Sequence, residues 1–456
     1  MNKKIIYLLS LLMALSLVFA SCKKNGPTNP EGFIDTKEPT TKQDTGGLIQ
    51  KWEDLKKYDT NAMNNYAVIN ETGGDYYRNP VIVALGGANV LIVTEKRIQY
   101  PGSANDIGVN GEKPVDIIYL LSSDGGDNFN GPFTVGKEST GADDAVSAPV
   151  VYFNKTSKKV YVIASAGSGI SRTGQYYSDR NPKSKLKYNV GTFDGTKITW
   201  AEWKELTLIG FNSVQFGTHS GRGIITDDNK LILPIIRAEQ GKNGAAKEQM
   251  GVTFVKVTAN DSTLSVDTKV IGDRGFYFAD GRTSGFSKYK EAKAVAYDKA
   301  TDKVTFLAVP NPEGGNGKMG LGDSQKGQQV TDTVIAGSEG SFGFLKLTKG
   351  WYGAKEYDPS TYKTSNGGAD EILFSHVKTA AGENHMYLLD AQQYQPQNKS
   401  FKIAVTGKSS SIDVLDDGTI IVAAEKERNL KAEGLKFNIF FSRYTQSYLA
   451  NQLESK

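Results

Sequence analysis

Beyond about residue 60 the chain alternates short apolar runs with turn-forming residues. Pro80-Val81-Ile82-Val83-Ala84-Leu85 is followed by Gly86-Gly87 and then by Val90-Leu91-Ile92-Val93. Val115 to Leu121, Val150 to Phe153 and Val160 to Ala164 repeat the theme. Further on, Lys230 to Ile236 follows Asp227-Asp228-Asn229, and Thr419 to Ala423 follows Asp416-Asp417-Gly418. Apolar runs this short, bounded by Asp, Asn and Gly, predict β-strands joined by hairpins. The one helical expectation is a short segment at Lys51 to Lys57. Gly314 to Gly327 and Gly167 to Gly174 are expected to be loops. The first lacks the Gly-Lys-Ser/Thr ending of a phosphate loop, and the second opens no helix.

Composition agrees with that pattern. Glycine supplies 49 of 456 residues, and 22 Tyr with 20 Phe make the chain aromatic. At 38% hydrophobic and 23% charged it can bury a sizeable core. Its length allows about three ordinary domains, or one large all-β unit. Lys plus Arg total 54 against 50 for Asp plus Glu, a balance of +4 that is interspersed and argues against a nucleic-acid partner. One cysteine excludes a disulfide framework. Three histidines (His219, His376, His385) argue against a three-histidine zinc site. No metal or cofactor is expected.

The single cysteine lies near the start. Lys3 and Lys4 precede an apolar run from Ile5 to Ala20, too short for a comfortable membrane span. The run ends Leu17-Val18-Phe19-Ala20-Ser21-Cys22, which resembles a bacterial lipobox, with Phe19 bulkier than usual at its position. A cleaved signal peptide with an incidental cysteine is the alternative. Asn25 to about Gly47 is rich in Pro, Thr, Lys and Gly and reads as a flexible tether. The expected division is a signal peptide over 1–21, a tether over 22–60 and a folded unit over 61–450. The mature chain is expected to be extracytoplasmic and anchored to the bacterial membrane, on the outer membrane or cell surface, through lipid on Cys22.

One motif is specific. Ser122-Ser123-Asp124-Gly125-Gly126-Asp127-Asn128-Phe129 fits the Asp-box pattern Ser-x-Asp-x-Gly-x-x-aromatic, and Thr192 to Trp200 is a degenerate copy. In such a turn the carboxylate accepts local N–H groups, glycine takes the positive-φ position and the aromatic packs beneath. The role is structural.

These residues, with Tyr77-Arg78-Asn79-Pro80, Glu95-Lys96-Arg97, Asp106 and the C-terminal Ser409-Ser410-Ser411-Ile412 and Glu425, resemble the sialidase and trans-sialidase superfamily. The resemblance implies an all-β, six-bladed β-propeller. It also implies recognition of sialylated or related glycans or glycoproteins. Sialidases hold the sugar carboxylate with three arginines, attack with a glutamate-activated tyrosine and protonate the leaving oxygen with an aspartate. Carried over by position, Arg78 falls on the first clamp arginine, and Arg97 on the arginine that touches a ring hydroxyl. Asp106 falls on the acid/base loop, where Asp116 is the weaker candidate. Glu425 falls on the glutamate steadying the first arginine, and Glu291 on the tyrosine's partner.

Other positions depart from the pattern. The tyrosine's place reads Ser409, the second arginine's Val309-Pro310, and the third's stretch, Gly382 to Met386, has no arginine. The Asp-Pro that contacts the acylamino group reads Ala148-Pro149. Arg222, Arg237 and Arg282 are the candidates to replace a lost arginine. Tyr76, Tyr77 and Tyr100 could form a stacking wall or simply core. Ser409 to Ser411 lacks the elbow and histidine partner of a serine hydrolase. Two readings follow: a glycan-recognising propeller degenerate for sialidase chemistry, or an active exo-α-sialidase. A scaffold whose arginine–glutamate pair only holds the centre together is a third.

Overall fold

The computed structural model describes residues 66–69, 75–98, 115–140, 144–167, 184–208, 215–239, 249–271, 289–310, 318–323, 328–336, 343–347, 371–377, 383–390, 396–406, 409–416, 419–430 and 434–444. Cys22, Asp106, Tyr100, Arg282 and the Lys51 to Lys57 helix lie outside them. For Glu291, Arg237, His376 and His385 only the backbone is described.

Strands form six sheets among the described residues. In the first, Asp75–Gly86, Asn89–Ile98, Val115–Ser122 and Asn130–Thr134 pair in chain order. Meanders starting at Val146–Asn154, Tyr289–Asp298 and Gly343–Leu347 build the second, fourth and fifth. The third is built on Lys230–Glu239, Gln249–Asn260 and Thr263–Val270. The sixth joins the two ends of the described chain: Ser410–Val414, Ile420–Leu430 and Gly434–Tyr444 are completed at the outer edge by Tyr66–Ile69. The hairpin-joined strands expected from the pattern are present, in the all-β arrangement that the family resemblance implies.

The continuous apolar runs are explained by burial of both faces of the strands. In Asp75–Gly86, Val81 and Val83 pack toward Val151, Val160 and Val162 of the second sheet. The alternate residues Ile82 and Ala84 pack toward Ile421, Ala423 and Phe441 of the sixth. Each such valine, isoleucine or phenylalanine side chain contributes about 1.5–3 kcal/mol on burial. Ser411 and Asp413 of the sixth sheet also reach the first, accepting the Ile82 and Ala84 N–H groups at 3.1 and 2.8 Å.

Two expectations change. Strands run longer than their apolar cores, as pairing from Asp75↔Ile98 to Gly86↔Asn89 shows. Gly314 to Gly327 is not all loop, because Lys318–Asp323 is a strand. Its glycines have little strand preference; ladders on both sides, Phe306↔Gly322 and Gly320↔Asp332 among them, impose the extended form.

The Ser122 to Phe129 turn is closed by its own side chains. Asp124 Oδ1 accepts from Ser122 Oγ at 2.7 Å and from the Asn128 N–H at 2.9 Å. Gly126, at φ +94°, leaves room for Phe441, which meets Phe129 edge-on at 5.2 Å. Burial opposes ionisation of Asp124, but donors from Asn128 and Ser122 outweigh it and hold the carboxyl below its ordinary value. A depressed folded value means the contribution is present above the unfolded pKa and lost as pH falls through the folded one. Asp124→Ala is therefore expected to cost about 1 kcal/mol at neutral pH. The difference should shrink as pH falls below about 4, as read from denaturant midpoints.

Candidate functional site

The inner strand of the first sheet breaks register at its polar end. Pairing proceeds through Arg78↔Glu95 and resumes at Val81↔Val93. Pro80 has no N–H to continue the ladder. Asn79 fills the gap at φ +56°, a region that Asn tolerates through local hydrogen bonds. Its N–H donates to Glu425 Oε1 at 2.6 Å and its Nδ2 to Glu95 Oε1 at 3.0 Å, while its Oδ1 accepts from Ser409 Oγ at 3.1 Å.

The structure brings Arg78 and Glu425 together. Arg78 donates Nε to Glu425 Oε1 at 2.8 Å, and its guanidinium carbon lies 4.3 Å from the Phe437 ring centroid. Glu425 is fully buried, whereas the Arg78 side chain is 20% exposed. No described residue accepts from the two terminal Arg78 nitrogens. A guanidinium so fixed through Nε presents a planar pair of donors, the shape that matches a carboxylate.

Arg97 lies beside it. Its Nε donates to Glu95 Oε2 at 2.7 Å, and its Nη2 pairs with the same carboxylate. Glu95 is fully buried, and its Oε1 also accepts the Ala148 N–H at 2.7 Å. Ala148 sits at φ +53° in the inner strand of the second sheet. Its carbonyl accepts from Thr218 Oγ1 at 2.6 Å. Two arginines and two glutamates thus neutralise each other across the first and sixth sheets.

The other candidates are placed as follows. Ser409 is buried, hydrogen-bonded to Asn79, and its carbonyl accepts the Glu425 N–H at 2.8 Å. Asp116 accepts the Ser139 N–H at 2.7 Å. Arg222 is committed to the sixth sheet, with Nε on the Ile412 carbonyl at 2.8 Å and Nη1 on Asp413 at 2.9 Å. The Glu291 backbone pairs with Val309. Tyr76 and Tyr77 are buried. Sequence reasoning gave no role to Glu95, Asn79 or Phe437. The signal it could have used is Arg78-Asn79-Pro80-Val81 beside Ser147-Ala148-Pro149-Val150, a residue before proline repeated in two inner strands.

No family pattern and no curated protein sequence matches the chain. Solved structures do. Trypanosoma rangeli sialidase in complex with sialic acid superposes with a TM-score of 0.55 at 12% identity, over 85% of this chain and 59% of that one. The chain thus spans about three fifths of that protein's length. The intramolecular trans-sialidase from Ruminococcus gnavus, in complex with oseltamivir carboxylate, gives 0.55 at 13% identity, over 84% and 97% of the two chains. A protein of unknown function from Dyadobacter fermentans gives 0.54 at 10% identity, over 83% and 98%. Identities this low define the fold alone. It is the sialidase-like all-β fold.

Proposed function

We propose that the chain recognises a sialylated or related glycan by taking its carboxylate on Arg78, and that it is degenerate for ordinary sialidase turnover. The observation carrying the first part is the Arg78–Glu425 pair, which fixes the guanidinium through Nε and leaves its terminal nitrogens unpartnered among the described residues. Support for the second is Ser409, a buried hydroxyl engaged with Asn79 where sialidases place tyrosine. A serine hydroxyl is shorter than a tyrosine's and cannot span the same distance to a sugar carbon.

The test removes charge from the ligand rather than from the protein. Titrating the chain with α-methyl sialoside and with its methyl ester should give binding for the acid and none for the ester. Equal binding of both would refute the role of Arg78.

The location is part of the same proposal. Lipid on Cys22 anchors the chain at the bacterial surface, with the 22–60 tether as spacer. Cells fed a clickable palmitate should label the protein, and Cys22→Ala should abolish the label and release the chain from the membrane fraction.

A further inference from the structure

We propose that Glu95 is the positioning residue of this site, holding left-handed bulges of two neighbouring sheets in the conformation that aims Arg78. The ligand half of the argument rests on the carboxylate-binding reading above. Asn79 and Ala148 are both non-glycine residues at positive φ, +56° and +53°. Each precedes a proline and fills a break in pairing, Arg78/Val81 in one strand and Ser147/Val150 in the other. An L-residue is disfavoured in that region and persists only when its surroundings over-determine it.

The same carboxylate supplies that determination twice. Glu95 Oε1 accepts Asn79 Nδ2 at 3.0 Å and the Ala148 N–H at 2.7 Å, while Oε2 holds Arg97. The adjacent Thr94 hydroxyl donates to the Arg78 carbonyl at 2.6 Å, so one stretch of strand holds both the backbone entering the bulge and the Asn79 side chain within it. A glutamate serving only to neutralise Arg97 would not need to reach both bulges. Ala148 has no polar side chain of its own to compensate its backbone, so it depends on Glu95 most.

The full chain is compared with Glu95→Gln, Ala148→Gly and the double variant. Two readouts are hydrogen exchange at the Asn79 and Ala148 amides and calorimetric titration with α-methyl sialoside. The Asn79 amide donates to Glu425 rather than Glu95, so its exchange reports the bulge and not a deleted bond. Glu95→Gln is expected to speed exchange at both amides and to weaken the sialoside about tenfold. Adding Ala148→Gly, which removes the Cβ penalty at positive φ, should slow exchange at residue 148 again while exchange at Asn79 stays fast. Unchanged exchange in Glu95→Gln, or fast exchange at residue 148 that Ala148→Gly leaves untouched, would overturn the proposal. If the sialoside binds none of the proteins, the carboxylate reading fails, and exchange with its rescue still decides the role of Glu95.

Discussion

Arg78→Ala is expected to weaken 3′-sialyllactose at least about a hundredfold, since two charge-assisted hydrogen bonds at about 1.5–3 kcal/mol each are lost. Arg78→Lys keeps the charge but offers one compact ammonium, for which Glu425 and the ligand compete. Its loss should be intermediate, about tenfold. Both changes also disturb folding. Glu425 is fully buried, and without Arg78 its Oε1 keeps only the Asn79 N–H at 2.6 Å. Removing one partner of such a pair is expected to cost about 2–3 kcal/mol, below the fully buried range because Arg78 is partly solvated. Arg78→Ala/Glu425→Gln therefore makes the informative control. It should recover stability, read from denaturant midpoints, and recover no binding.

Gly223→Ala is expected to be the most damaging single methyl among the described glycines. An added Cβ would lie 1.9 Å from Tyr152 Cε1. The ring cannot simply withdraw: Tyr152 is buried in the core between the second and third sheets, and its hydroxyl donates to the Ile232 carbonyl at 3.0 Å. Burial pushes that hydroxyl's pKa well above its ordinary value, so it remains a neutral donor. The Gly223 N–H meanwhile donates to the Val151 carbonyl at 2.9 Å, fixing the other side of the clash. Overpacking plus the loss of a buried hydrogen bond should cost about 3 kcal/mol or more. Gly195→Ala is the comparison. Gly195 has φ +103° with nothing within 4 Å of its added Cβ, so only backbone strain of about 1–2 kcal/mol is expected. Equal midpoints for the two variants would show that the Tyr152 packing is looser than the structure has it.

Much of the fold was legible because the inner strands bury both faces, so apolar runs such as Val81 to Leu85 stand out without any partner being known. The Ser122 to Phe129 turn was legible for a different reason: its bonds span two to four residues. Strand Lys318–Asp323 was hidden, since Gly320 and Gly322 read as loop and only the ladders on either side extend them. The site was legible one residue at a time and not as a network. Arg78 and Glu425 came from a family pattern. Glu95 gains its role only when Asn79 and Ala148, 16 and 53 residues away, converge on one carboxylate. Asn79 meets Glu425 across 346 residues, a contact that no local spacing encodes.

A site that binds a sugar acid without hydrolysing it should leave a bound α-sialoside intact. The most direct measurement is release of a fluorophore from an α-sialoside by the full chain, at ligand concentrations that saturate binding, beside Asp106→Ala and Arg78→Ala. Release indistinguishable from the Asp106→Ala background is expected. Release well above that background, and lost in both variants, would contradict it and make the chain an active sialidase with Asp106 as its acid.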